Sequence, residues 1–175
     1  IDILHKNNLK ILNINYEIPL KKYNLQNEFV VSNKLDSESK KYFLNHINEI
    51  ARINQKYMNP NVKYKEVSDK WFGMEDYQFL IYKNNGKIMG MVDFKIFDDD
   101  KCADDLYNCC NSICIRTILA DNEKIIEDIF KDLINKYQKR IILSHLYTDI
   151  MLKNAILNVN GIFKYLFVIN RNLKD

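Results

Sequence analysis

The sequence lacks any run of about 18 apolar residues, the length that a membrane-spanning helix requires. It also shows no leader in which basic residues precede an apolar stretch, the pattern of a secretory signal. These absences predict a protein with no membrane partner and a cytoplasmic location. At 175 residues, with 47% hydrophobic and 28% charged residues, the chain has the size and composition of one folded domain.

Arginine is scarce in this chain. Only four of its 26 basic residues are arginines, and the formal net charge is +3. Nucleic-acid-binding domains usually cluster basic residues, often arginines, on one face. The lysines of this chain are instead spread along its length. We therefore predict no nucleic-acid partner.

Metal-binding and nucleophile motifs are missing as well. The sequence contains no catalytic triad pattern, Walker loop or metal motif. No sequence motif therefore supports a hydrolase, a kinase or a metalloenzyme. The four cysteines are Cys102, Cys109, Cys110 and Cys114. Their spacing departs from the Cys-x-x-Cys knuckles of zinc sites, and cytosolic disulfides are rare. We predict reduced cysteines and no metal site.

The spacing of apolar residues predicts the secondary structure of the first half. Alternation in "LKILNINYEI" predicts a strand that ends at a Pro19 turn, and "EFVVSNKL" (Glu28–Leu35) predicts a second short strand. Helical spacing then predicts a helix that begins at Asp36 or Ser37 and ends near Asn59. A shorter helical piece follows in "KEVSDKWFG".

The second half predicts a hairpin followed by strands that alternate with helices. Asn84, Asn85 and Gly86 separate two strand-forming runs, and Asn and Gly tolerate the positive φ of tight hairpin turns. "SICIRTIL" predicts a central strand, which is followed by a helix over Asn122–Tyr137 and a buried strand "RIILSHLY". A helix at about Ile150–Asn158 and a final strand "IFKYLFVIN" complete the chain.

Together these elements predict an α/β fold with one mixed sheet and helices on both of its faces. The helix between "SICIRTIL" and "RIILSHLY" favours a parallel βαβ unit. We assign residues 1–27 to an N-terminal strand-containing extension and residues 28–175 to the main domain.

The segment "RTILADNEKIIEDIF", residues 116–130, joins the end of a strand to the start of a helix. The free N–H groups and positive dipole end of a helix attract anions, so such a junction can bind phosphate. No glycine lies in this loop, although glycine lets phosphate oxygens approach the backbone closely. Either the junction binds a phosphate-bearing cofactor through contacts other than those of a glycine-rich loop, or Asn122 simply caps a structural helix.

The order of elements and several segments resemble the GNAT superfamily of acyl-CoA-dependent N-acyltransferases over about residues 28–173. The hairpin "FLIYKNNGKIMGMVDF" is similar to that family's second and third strands. "SICIRTIL" with "NEKIIEDIFKDLINKY" is similar to its fourth strand and third helix, and "RIILSHLYTDIMLKNAILNVNGIF" to its fifth strand and fourth helix. The resemblance implies acetyl-CoA or another acyl-CoA as cofactor, with the pantetheine arm between two splayed parallel strands, here about Ser112–Leu119 and Arg140–Tyr147.

The resemblance also implies that the end of the strand and the first helical turn contact the cofactor. The residues so implied are Arg116, Thr117, Ile118, Asn122, Lys124, Ile125 and Ile126. The family's pyrophosphate loop has the pattern Gln/Arg-x-x-Gly-x-Gly/Ala, and this chain has Asp121, Lys124 and Ile126 at the matching positions. All three depart from the pattern, which predicts a divergent loop with a weakened or remodelled hold on phosphate.

The tyrosine that many family members place in the fourth helix is missing, because Leu157 or Asn158 stands there. Tyr147 or Tyr165 could replace it as the acid that protonates the leaving thiolate. His145 could act as general base toward an amine. Alternatively, His145 is a core histidine, since it shares a strand face with apolar residues.

Two functions remain open. The first, which we favour because backbone amides can bind phosphate without consensus side chains, is direct acyl transfer to an amine of a small molecule or peptide. Glu75, Asp76, Asp93 and the aspartate-rich segment 98–105 could line its acceptor cleft or be ordinary surface carboxylates. The second is a catalytically silent GNAT-fold module that binds a ligand or a protein, with its first strand pairing to that partner. The final strand offers an edge through which two copies could form a homodimer.

Overall fold

The computed structural model describes residues 9–24, 29–58, 61, 63–73, 77–98, 110–146 and 148–170. Seven strands, three α-helices and one 3₁₀ helix lie within these ranges. In chain order they are β1 (Leu9–Ile18), β2 (Val30–Ser32), α1 (Ser37–Met58), the 3₁₀ helix (Asp69–Gly73), β3 (Gln78–Asn84), β4 (Lys87–Phe97), β5 (Ser112–Ala120), α2 (Glu123–Tyr137), β6 (Arg140–Leu146), α3 (Ile150–Asn158) and β7 (Ile162–Asn170).

All seven strands form one sheet with the order β2-β3-β4-β5-β6-β1-β7. β5 and β6 are parallel, and every other neighbouring pair is antiparallel. α2 and α3 pack on one face of the sheet, while α1 and the 3₁₀ helix pack on the other. The predicted α/β class, with a mixed sheet and helices on both faces, is confirmed.

β1 lies inside the sheet, between β6 and β7. Ile14, for example, is opposite His145 of β6 on one side and Leu166 of β7 on the other. The segment predicted as an N-terminal extension therefore contributes an internal strand. Over residues 13–17 both edges of this strand are paired within the sheet, so the suggested pairing with another protein has no free edge there. Among the described strands, β2 and β7 lie at the edges of the sheet.

The core consists of two apolar clusters, one on each face of the sheet. The larger lies beneath α2 and α3, and the α2 residues that it contains are Ile125, Ile126, Ile129, Phe130, Leu133 and Ile134. Their spacing of three and four residues forms the continuous buried stripe that the sequence predicts. The smaller cluster joins Phe43 of α1 to Phe79 of β3 and Met91 of β4.

The predicted hairpin between β3 and β4 is confirmed. Asn85 and Gly86 form its turn with φ angles of 48° and 80°, the left-handed conformation that two-residue hairpin loops require. The second strand is shorter than the predicted Glu28–Leu35, because only Val30–Ser32 pair with Ile81–Lys83 of β3.

Several predicted features fall outside the described residues. They are Glu75, Asp76, Cys102, Cys109, Tyr147 and residues 99–105 of the aspartate-rich segment. Cys110 and Cys114 form no disulfide within the described ranges. In the same part of the chain, no helix has the length and apolar character needed to cross a membrane.

Candidate functional site

β5 and β6 are paired over only part of their lengths. Pairing begins with Ser112 opposite Arg140 and ends with Ile115 opposite Leu143. Beyond these pairs, the described residues 116–120 and 144–146 do not pair with each other. The parallel strands therefore diverge toward their carboxyl ends. We call the opening between them the gap.

A β-bulge at Arg116 coincides with the start of the gap. On the β4 side, Asp93 is opposite Thr117 and Phe94 is opposite Ile115, which leaves Arg116 as an extra residue in β5. A bulge bends the strand and increases its local twist. The carboxyl half of β5 is thus redirected at the position where its pairing with β6 ends.

A buried ion pair holds the side chain of Arg116. Its Nε lies 2.9 Å from Oδ1 and 2.8 Å from Oδ2 of Asp93, which is 0% exposed. The guanidinium also lies over the Tyr77 ring, with 4.1 Å between Arg116 Cζ and the ring centroid. Burial raises the pKa of Tyr77, so its hydroxyl stays protonated. Asp93, a candidate for an acceptor cleft, thus serves to fix the bulge.

The gap contains a cavity of about 250 Å³. Its lining residues are Asn13, Ile47, Ile50, Ile115, Arg116, Thr117, Ile118, Leu119, Leu143, Ser144, His145, Leu146, Asp149 and Leu152. Because α1 lies on one face of the sheet and α3 on the other, a cavity lined by both helices passes through the sheet between β5 and β6. Such a passage suits a long and narrow ligand.

His145 lines this cavity from β6 and is 2% exposed. Its Nδ1 lies 2.7 Å from the carbonyl oxygen of Leu146, and since a carbonyl only accepts, Nδ1 carries the proton. Its Nε2 has no hydrogen-bond partner among the described residues. Burial lowers the pKa of His145 and outweighs the opposing effects of the Leu146 hydrogen bond and the Asp149 charge. The imidazole is therefore neutral at pH 7, with a lone pair on Nε2.

Asp149 lines the cavity close to His145 and caps α3. Its Oδ1 accepts a hydrogen bond from the backbone N–H of Leu152 at 3.0 Å. Burial raises the pKa of Asp149, although this hydrogen bond and His145 act in the opposite direction. Two neighbouring titratable groups with pKa values shifted by burial are typical of functional clefts.

The amino end of α2 is occupied by contacts within the protein. The Oδ1 of Asn122 accepts a hydrogen bond from the Ile125 N–H at 3.1 Å, which satisfies one of the free amides of the helix. Asp121 accepts from the Tyr42 hydroxyl at 3.0 Å and forms an ion pair with Lys87 at 2.9 Å. The structure thus shows Asn122 in the role of a helix cap.

Carboxylates outnumber cations around this helix end. Lys124 Nζ lies 3.5 Å from Glu127 and 3.6 Å from Asp128. Residues 121–131 contain four carboxylates and two lysines, and Lys87 adds one further cation. This leaves one net negative charge, which opposes the attraction of the helix dipole for phosphate.

The structure brings some of the sequence-predicted site residues together and separates others. Those that line the gap are Arg116, Thr117, Ile118 and His145. Those that lie at the start of α2, outside the lining of the gap, are Asn122, Lys124, Ile125 and Ile126. The two isoleucines belong to the core beneath α2. Tyr147 lies outside the described residues.

Sequence reasoning missed Asn13, Ser144 and Asp149 as lining residues. Asp149 precedes a helical run and carries the signal of an N-cap, so attention to that position could have found it. Asn13 gives no comparable local signal. Its position depends on the pairing of β1 with β6, which no short-range pattern encodes.

Comparison with known proteins identifies the fold. No protein-family model and no curated protein matches the sequence. Among solved structures, the GCN5-related N-acetyltransferase from Anabaena variabilis has a TM-score of 0.55 at 9% identity, covering 94% of this chain and 41% of that chain. A GNAT-family acetyltransferase from Colwellia psychrerythraea has a TM-score of 0.55 at 12% identity, with coverages of 95% and 59%.

A functionally unknown conserved protein from Staphylococcus epidermidis gives a TM-score of 0.52 at 15% identity, with coverages of 95% and 63%. This chain thus spans 41% to 63% of the lengths of these three structures. At such low identities the likeness concerns the fold alone. This chain has the fold of GNAT acetyltransferases, which confirms the resemblance seen in its sequence at that level.

Proposed function

We propose that this chain is an N-acyltransferase that transfers an acyl group from acetyl-CoA or another acyl-CoA to an amine. The observation that carries the proposal is the gap, where β5 and β6 separate around a cavity that passes through the sheet. A catalytically silent binding module would also tolerate a cavity. The neutral His145 in its lining, whose Nε2 has no hydrogen-bond partner among the described residues, favours the transferase.

The pantetheine arm of acyl-CoA fits the gap by shape and by hydrogen bonding. The arm is long, narrow and contains amide groups, and the facing edges of residues 116–119 and 144–146 carry backbone groups that do not pair with each other. Ile47, Ile50 and Leu152 supply apolar walls. When bound, the cofactor supplies an acyl group activated as a thioester.

The start of α2 is less suited to the phosphate end of the cofactor than the gap is to the pantetheine arm. Asn122 already uses one amide of the α2 terminus, and the surrounding side chains carry a net negative charge. Lys124 is engaged by Glu127 and Asp128. The donor is therefore held through its arm, and S-acetylpantetheine, which lacks the phosphates, binds within about tenfold of acetyl-CoA, a difference of about 1.4 kcal/mol.

The residues of the chain supply a base and polarising dipoles. Backbone N–H groups on the unpaired strand edges stabilise negative charge on the thioester carbonyl oxygen. As the amine forms its C–N bond and the C–S bond breaks, Nε2 of His145 accepts the proton that the amine loses. Tyr147 stays the candidate acid for the departing sulfur, and burial of His145 keeps Nε2 unprotonated before the reaction.

Release of free thiol from acetyl-CoA in the presence of a panel of small amines and peptides tests this function. We expect amine-dependent thiol release, lowered about 100-fold in His145→Gln because a general base is lost. His46→Gln is the matched control, since His46 on α1 does not line the gap. If no amine is acylated and acetyl-CoA does not bind, the transferase proposal fails and the binding module is left.

A further inference from the structure

A second cavity of about 220 Å³ adjoins the gap. Asn13, Asn15 and Ser144 are among its lining residues, and Asn13 and Ser144 also line the gap. Asn15 and Ser144 are directly opposite each other in the β1–β6 ladder. Asn13, two residues before Asn15, projects to the same face of the sheet. We call this cavity the asparagine groove.

Three polar atoms in the asparagine groove have no hydrogen-bond partner among the described residues. They are Asn13 Oδ1, Asn15 Nδ2 and Ser144 Oγ. Asn15 is 3% exposed, so its amide is removed from bulk water. Buried polar atoms without partners lower stability and are uncommon in folded proteins. Three of them in one cavity give it the unused hydrogen-bonding capacity that a polar ligand would satisfy.

The asparagine groove is electrically neutral. No charged side chain lines it within the described part of the chain. Glu17, which lies two residues beyond Asn15 in β1, is compensated by Arg140 at 2.9 Å and Lys164 at 3.0 Å. The groove therefore offers hydrogen-bond donors and acceptors without a counter-charge for a carboxylate or a second ammonium. An amide, which both donates and accepts, satisfies this set.

We infer that the asparagine groove is the acceptor subsite and that it binds an amide group next to the reactive amine. This inference rests on the proposed function, because the groove adjoins the gap in which the thioester would lie. Asn15 and Ser144 hold the amide, and Asn13 and Ser144 line both cavities, so an amino group one carbon away from the amide reaches the gap. The acceptor is thus an α-amino amide, either a free carboxamide or the first residue of a peptide.

The test compares glycinamide with glycine methyl ester by calorimetric titration of the protein with CoA present. The ester keeps the amine and the carbonyl but lacks the N–H donor. We expect glycinamide to bind about tenfold more tightly than the ester, since one hydrogen bond is lost. Glycylglycinamide, measured in the same way, distinguishes a peptide acceptor from a free carboxamide.

Two variants connect this preference to the groove. Asn15→Leu removes the amide at similar size and should weaken glycinamide binding about tenfold. Ser144→Ala should weaken binding while raising the melting temperature, because it removes an unpartnered hydroxyl. If Ser144 had only a structural role, its replacement would not weaken glycinamide binding while raising the melting temperature. Asn154→Leu, at an exposed position on α3, is the control that leaves both quantities unchanged.

Equal binding of amide and ester, or undiminished glycinamide binding by Asn15→Leu, overturns the inference even if acetyl-CoA binds and is turned over. Conversely, glycinamide binding that depends on Asn15, without any binding of acetyl-CoA, keeps the groove as an amide-binding site but rejects the transferase and, with it, the assignment of an acceptor subsite. The two failures are therefore distinguishable.

Discussion

At the scale of single residues, the ion pair between Arg116 and Asp93 fixes the bulge that accompanies the gap. Arg116→Leu leaves the fully buried Asp93 carboxylate without this cation, and breaking such a pair costs about 3–5 kcal/mol. We expect a loss of that size in the free energy of unfolding, measured by urea denaturation. Lys87→Leu breaks an ion pair in which the lysine is 72% exposed and should cost less than about 1 kcal/mol. Equal losses would contradict the role given to Arg116.

The buried His145 gives the protein a specific pH dependence. Its pKa in the folded state lies below the ordinary value of 6.5, so between these two pKa values the unfolded chain binds a proton that the native chain does not. Acidification through this window should therefore lower stability, by at most about 1.4 kcal/mol per pH unit. The raised pKa of Asp149 acts oppositely, since the native carboxyl takes up its proton first.

The His145 contribution is the difference between the wild type and His145→Gln in denaturation curves recorded from pH 7 to lower pH. The variant should lose less stability on acidification. Parallel curves for the two proteins would show that His145 is not held neutral by burial.

At the scale of elements, the close approach of α2 to the sheet depends on Gly90 in β4. A Cβ at this position would lie 2.8 Å from Ile129 Cδ1 and 3.1 Å from the Leu119 carbonyl oxygen. Gly90→Ala should therefore destabilise the protein by about 1–3 kcal/mol through overpacking. Ile129→Val removes the nearer methyl group, so the double variant should lose less than the sum of the single variants in thermal unfolding. Additive losses would contradict the packing described.

Most elements could be predicted from the sequence because their signals are local. Periodic apolar residues define α1 and α2, and the Asn85–Gly86 turn defines the hairpin between β3 and β4. The strand predicted in "LKILNINYEI" matches β1 in its bounds. What local signals could not supply is the position of β1 between β6 and β7, because that position depends on contacts between opposite ends of the chain.

The candidate site, like the fold, could be predicted from the sequence only in part. The splay of the two parallel strands was implied by the family resemblance, and the structure shows it. The bulge at Arg116 and the partners of Asp121 depend instead on β4 and α1, which are distant in sequence. The asparagines of β1 join the site only through long-range pairing, so periodicity alone gave them no role.

At the scale of the whole molecule, β1 connects the two ends of the chain around the gap. Through its ladders with β6 and β7, the first described strand keeps the last one in the sheet and brings Asn13 to the cavity. Such contacts between distant segments are slow to form during folding. The gap is therefore a property of the assembled sheet rather than of the β5–α2–β6 unit alone.

The central claim is that the gap binds the pantetheine arm of acyl-CoA, and thermal unfolding with added acetyl-CoA tests it most directly. At about 100 times the dissociation constant, the ligand should add about 2.7 kcal/mol to the free energy of unfolding. Thr117→Phe, which places a ring at a residue in the lining of the gap, should still unfold cooperatively but lose this stabilisation. No stabilisation of the wild type at millimolar acetyl-CoA, or equal stabilisation of both proteins, would contradict the account.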